Sequence, residues 1–175
     1  MSKVEASGHY GVMKRTTLDA ADIRILSALQ QHGKLSKSAL AELVNLSPTP
    51  CWIRLDKLKK AGLIRGYHAD IALDKVADLT KIIVTVSLKK HHKSDFERFE
   101  NTIQNVDEVI NCVATGGGFD YVMTVISRNL STFQTLMEQL LAAEIGIDRY
   151  FTYFVTREIK SSQPNLTAVL KDQTD

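Results

Sequence analysis

The segment Leu46-Ser47-Pro48-Thr49-Pro50-Cys51-Trp52-Ile53-Arg54-Leu55-Asp56-Lys57-Leu58 limits the possible folds more than any other stretch of the chain. It reads as a helix with its start signal attached. Ser47 is placed to accept a hydrogen bond from a first-turn amide, and Pro48 suits the first helical position, where no donor is needed. Cys51, Leu55 and Leu58 recur at i, i+4 and i+7, which gives one narrow stripe for burial. The other face carries Thr49, Trp52, Ile53, Arg54 and Lys57. A helix that hides three small or aliphatic side chains and presents a threonine, a bulky apolar pair and two cations suits a DNA major groove.

The charge distribution points the same way. The formal net charge is only +2, too small for an indiscriminate polyanion binder. Residues 1–78 hold 12 Lys and Arg against 8 Asp and Glu, and residues 79–175 hold 10 against 12, so the cationic excess accompanies the proposed DNA helix. With 44% hydrophobic and 24% charged residues, the 175-residue chain can pack one or two small domains. Cys51 and Cys112 form no CxxC pair, so no metal site is expected, and both read as reduced core thiols of a cytoplasmic protein. The opening MSKVEASGHYGVMKR has no apolar signal-peptide core, and no apolar run approaches the ~18 residues of a membrane span.

Residues 1–16 lack periodicity and read as an N-terminal arm. Leu18 to Asp22 opens a first helix with Ile23, Ile25, Leu26 and Leu29 on its apolar face and Gly33 just past its end. Ser36 starts a second helix with Leu40, Leu43 and Val44 facing inward. The helix from Ser47 stops at Ala61-Gly62, and two short extended pieces about Gly66-Tyr67 make a small hairpin. Residues 17–71 therefore read as a winged helix-turn-helix, followed by a hinge at 72–79. From 80 to 160 the pattern is βαββαβ: strands at Ile82–Leu88, Val109–Thr115, Phe119–Ile126 and Arg149–Lys160, with helical faces Phe96/Phe99/Ile103/Val106 and Phe133/Leu136/Met137/Leu140/Leu141. The fold class is α+β, a winged helix-turn-helix joined to a ferredoxin-like domain. Two helices cover one sheet face, and a second copy of the chain is the simplest cover for the other. The tail, 161–175, shows no clear period.

This arrangement resembles the feast/famine regulators, the Lrp/AsnC family. LSPTPCWIRLDKLKKAGLIRGYHADI resembles the family's recognition helix and wing, with Arg54 and Gly62 at the family's arginine and helix-stop glycine. GGFDY, residues 117–121, is similar to its Gly-x-x-Asp-Tyr loop. Trp52-Ile53 and the long glycine run depart from the pattern. The resemblance implies a DNA-binding transcriptional regulator of amino-acid metabolism, without a cofactor, that responds to a small amino acid or related metabolite bound at a subunit interface. It implies a homodimer that assembles further to tetramers or octamers.

Arg54 and Lys57 are the leading base or phosphate contacts. Thr49 and Pro50 lie in the first turn, where base edges and phosphates are met, and Ile53 shares the exposed face. Ser47 can cap and also touch a phosphate. Ser36 and Lys37 begin the preceding helix, a usual place for a phosphate contact. Arg65 and His68 on the wing either reach an adjacent groove or are simply exposed. Trp52 either packs on a neighbouring element or meets a thymine methyl. For the effector, Gly116, Gly117 and Gly118 can turn backbone N–H groups toward a carboxylate, and Asp120 can take an ammonium. Phe119 and Tyr121 would be walls, with Thr152 and Thr156 as further contacts. His91 and His92, adjacent at a strand end, point apart and are not a metal pair. No nucleophile–base arrangement is evident, which disfavours the alternative of a ligand-sensing allosteric subunit or small metabolic enzyme built on the ferredoxin-like domain.

Overall fold

A computed structural model describes residues 16–170. The proposed arm, apart from Thr16, lies outside the described residues, as does 171–175. The described residues fall into two compact units, 16–70 with 162–170, and 71–161.

In the first unit α1 (Ala20–His32), α2 (Lys37–Leu43) and α3 (Pro48–Lys60) form the helix-turn-helix. Helix α1 starts on a reciprocal capping box: Asp19 accepts from the Asp22 N–H at 2.9 Å, and Asp22 accepts from the Asp19 N–H at 3.3 Å. It stops at Gly33, whose φ of 68° favours a residue without a Cβ. Ser36 caps α2 through the Ala39 N–H. Ile25, Leu40, Val44, Cys51 and Leu58 are almost fully buried and hold the three helices together. Full burial of an aliphatic side chain is worth about 1.5–3 kcal/mol, so this small core carries the unit. Leu43, expected inside, is 52% exposed, and Ala41 takes the inward position instead.

Two local expectations fail. The Ser47 side chain makes no capping bond, and α3 starts on Pro48 with the Ser47 carbonyl accepting from the Cys51 N–H. Residues 63–71 form no strand pair, so the wing is an irregular segment rather than a hairpin. It is anchored by Ile64 and Tyr67 against the helical core. The tail supplies a third difference. A short helix, α6 (Leu166–Val169), is capped by Asn165 and packs Leu166 and Leu170 on the same core.

The second unit contains β1 (Thr80–Leu88), α4 (Lys93–Ile103), β2 (Val109–Ala114), β3 (Tyr121–Ser127), α5 (Leu130–Ala142) and β4 (Ile147–Phe154). The antiparallel sheet has the order β2-β3-β1-β4. Ile82, Val84 and Val86 alternate into a core shared with Met123, Val125, Phe99, Phe133, Leu136 and Met137. Leu141 is 43% exposed and is not part of that core. The opposite face brings Ile83 beside Thr124 and Tyr153, and Thr85 beside Val122 and Phe151. Phe151 and Tyr153 are 54% and 55% exposed there. Strand β4 ends at Phe154, so Thr156 lies beyond the sheet that was expected to hold it.

Candidate functional site

The outer surface of α3 is where the sequence placed it. Thr49, Pro50, Trp52, Ile53 and Lys57 are exposed, while Cys51, Leu55 and Leu58 are buried. Ile53, at 63% exposed, contributes an unpartnered aliphatic patch beside Lys57. Lys57, Lys59 and Lys60 gather in the last turn, where cations also complement the helix dipole. Lys60 is paired with Asp56 at 2.7 Å, which raises the lysine's pKa.

Two of the proposed contacts have intramolecular partners. Lys37 sets its ammonium 3.7 Å from the centre of the Trp52 ring, a cation–π contact that joins the start of α2 to the face of α3. Trp52 therefore stands on the helix face as a partner for lysines, with Lys59 5.8 Å from the ring centre. It is not an element of the core. Arg54 is the larger correction, because its side is not free as expected. Its Nη1 donates to Asp19 at 2.5 Å and to Asp22 at 2.9 Å. Its hydrogen bonds to these carboxylates raise the pKa of the guanidinium, Asp19 first. Asp19 is held below the usual carboxylate range by the Asp22 N–H first, with help from Arg54. In the sequence both aspartates read only as acids at a helix start. Here they also clasp the recognition helix to α1. Ser36 caps α2 and is exposed, as are Ser47, Arg65 and His68.

In the second unit a cavity of about 330 Å³ opens between α4 and the β2–β3 turn, lined by Phe96, Glu100, Ala114, Thr115, Asp120 and Tyr121. Asp120 and Tyr121 were expected here. Phe96, Glu100 and Thr115 were not, although Phe96 and Glu100 stand one helical turn apart and so share a face. The Asp120 carboxylate accepts from the Leu88 N–H at 2.7 Å and lies 3.1 Å from Nε2 of His91. The Tyr121 hydroxyl donates to Glu100 at 2.7 Å. Burial, and then that hydrogen bond, push the Tyr121 pKa up, so the phenol stays protonated. Burial first, then the Glu100 charge, push the neighbouring Cys112 thiol up to about 11. The glycine run does not form the expected left-handed nest. Of the three, only Gly117 has a positive φ, and at 158° it is close to extended. Phe119 is exposed, and its carbonyl accepts from the Thr115 hydroxyl. Thr152 lies on β4 opposite Val84, outside the cavity lining, as does Thr156. Among the described residues no group of His, Cys, Asp and Glu is placed to hold a metal.

The helix-turn-helix with its cationic, partly apolar recognition face, together with a separate α+β unit bearing a small cavity, defines a DNA-binding regulator with a ligand-binding domain. Comparison with known proteins agrees. Residues 18–65 match the winged helix-turn-helix DNA-binding family, and residues 81–165 match the Lrp/AsnC ligand binding domain. The chain is 41% identical over 150 residues to the transcriptional regulatory protein DoeX of Halomonas elongata, covering 86% of this chain and 95% of that protein. It is 34% identical over 149 residues to the leucine-responsive regulatory protein of Haemophilus influenzae, covering 85% and 90%. A transcriptional regulator from Neisseria meningitidis, solved as its L-Met complex, superposes with a TM-score of 0.78 at 34% identity, covering 83% and 94%. The chain belongs to the Lrp/AsnC family of transcriptional regulators. No helix among the described residues is long and apolar enough to cross a membrane.

Proposed function

We propose that this regulator reads operator DNA with Thr49, Pro50, Trp52, Ile53 and Lys57 of α3. Ser36, Lys37 and Ser47 contact the backbone, Arg65 and His68 on the wing reach an adjacent groove, and Arg54 chiefly sets the pose of the helix. The carrying observation is the exposure of Ile53 and Lys57 on a helix whose opposite stripe is buried. Apolar side chains can meet thymine methyls, and lysines can meet guanine or phosphate. The effector is a small amino acid or related metabolite. It occupies the cavity beside Asp120 and Tyr121, with the Gly116–Phe119 turn as its rim. The relative that carries L-Met in its solved complex supports that class.

The uncovered sheet face with Phe151 and Tyr153 closes against a second copy, and dimers assemble to tetramers or octamers. Such a dimer would place two recognition helices about 34 Å apart, one DNA turn. Effector binding would act by favouring one arrangement of the helices over another. The reading places the protein in the cytoplasm. It is tested by selecting duplexes from a random pool with the full chain. Enrichment of a degenerate palindrome with half-sites a helical turn apart is expected. Recovery without sequence enrichment would overturn the recognition role.

A further inference from the structure

The charge of the second-unit cavity says more about its ligand than its size does. Its lining contains two carboxylates, Glu100 and Asp120, two aromatic rings, Phe96 and Tyr121, and no lysine or arginine. Asp120 is satisfied by the neutral Leu88 N–H and by His91, and Glu100 by the neutral Tyr121 hydroxyl. Lys93, on the same helix as Glu100, is turned to Glu97 at 3.6 Å. A neutral-side-chain amino acid brings one ammonium, which can answer one of the two carboxylates. The other, the solvent-exposed Glu100, would keep only water and the Tyr121 hydroxyl as partners. The two ring faces add to the attraction for a cation, since an ammonium over an aromatic face is itself favourable.

Resting on the reading of this cavity as the effector site, we propose that its ligand carries a second cationic group: a diamino or other basic amino acid, not an aliphatic or thioether one. Asp120, beside the glycine turn, takes the ammonium on the α-carbon. Glu100, on α4, takes the side-chain ammonium, with Phe96 alongside its stem. About 330 Å³ accommodates a molecule of this size. Charge-assisted hydrogen bonds are roughly twice as strong as neutral ones, so the second ammonium is the main source of selectivity.

The test is titration calorimetry of the full chain with L-lysine, L-ornithine, L-norleucine and L-methionine. Lysine and norleucine differ only by the terminal ammonium. Lysine or ornithine is expected to bind about tenfold tighter than norleucine or more. Glu100→Gln, which can still accept from Tyr121, should bring the two classes to near parity. Glu97→Gln removes a charge on the same helix outside the cavity and should leave the preference intact. Norleucine or methionine binding as tightly as lysine would overturn the charge assignment while leaving the effector reading in place. Failure of all four to bind would overturn both.

Discussion

Leu166→Ala with Leu170→Ala tests whether the end of the chain is structural. Both leucines are partly buried against the core of the helix-turn-helix unit, beside α1. Each change removes about three methylene equivalents, worth about 0.8 kcal/mol apiece when fully buried. At half burial the pair loses roughly 2–2.5 kcal/mol. The loss cannot exceed the free energy with which α6 docks, so this is an upper bound. For a unit of this size each kcal/mol moves the melting temperature by about 4–8 °C. The assay is hydrogen exchange of the full chain beside a thermal melt. Segment 162–170 should lose protection and α1 should exchange faster, with a drop of at most roughly 8–20 °C for the first unit. The second unit should be unaffected. Unchanged α1 protection and an unchanged melt would refute the idea that the tail completes this core.

Other outcomes follow from the same geometry. Asp22→Asn and Arg54→Ala should each lower the melting temperature of the first unit, and the double variant should lose little more than the worse single, because one clasp is broken in each. Asp19 titrates below its ordinary value, so its contribution to stability is complete above about pH 4 and disappears as pH falls through the depressed folded value. Asp19→Asn should flatten that acid limb in pH-dependent melts. Cys112, with its pKa pushed up to about 11, should resist alkylation at pH 8, which mass spectrometry of intact protein can follow. Phe151→Ser with Tyr153→Ser should lower the oligomeric mass seen by light scattering without disturbing the β1–α4 core.

The parts of the fold that were legible in the sequence are those fixed by short-range pattern. The Cys51/Leu55/Leu58 stripe, the Ser36 cap, the Gly33 stop and the alternation of Ile82, Val84 and Val86 each record a period or a local hydrogen bond. What escaped depends on distance along the chain. Arg54 meets Asp19 and Asp22 from 35 and 32 residues away, and no spacing rule connects them. Leu166 and Leu170 are four apart on what looked like an aperiodic tail, and only the groove beside α1 gives them a role. Glu100 joined the cavity through the packing of α4 over β3, since its own helix marks it only as polar. The missing Ser47 cap has a local reason: Pro50, at the third helical position, lacks one of the two amides such a cap would serve.

DNA reading by the exposed face of α3 underlies the whole proposed activity. The most direct measurement is fluorescence anisotropy of the full chain on its selected duplex across a salt series, for wild type, Lys57→Ala and Ile53→Asp. Lys57→Ala should weaken binding and, where it removes a phosphate contact, lower the salt slope by about 1. Ile53→Asp should abolish sequence preference while the fold is retained. Wild-type affinity, slope and preference in both variants would refute the role of this face.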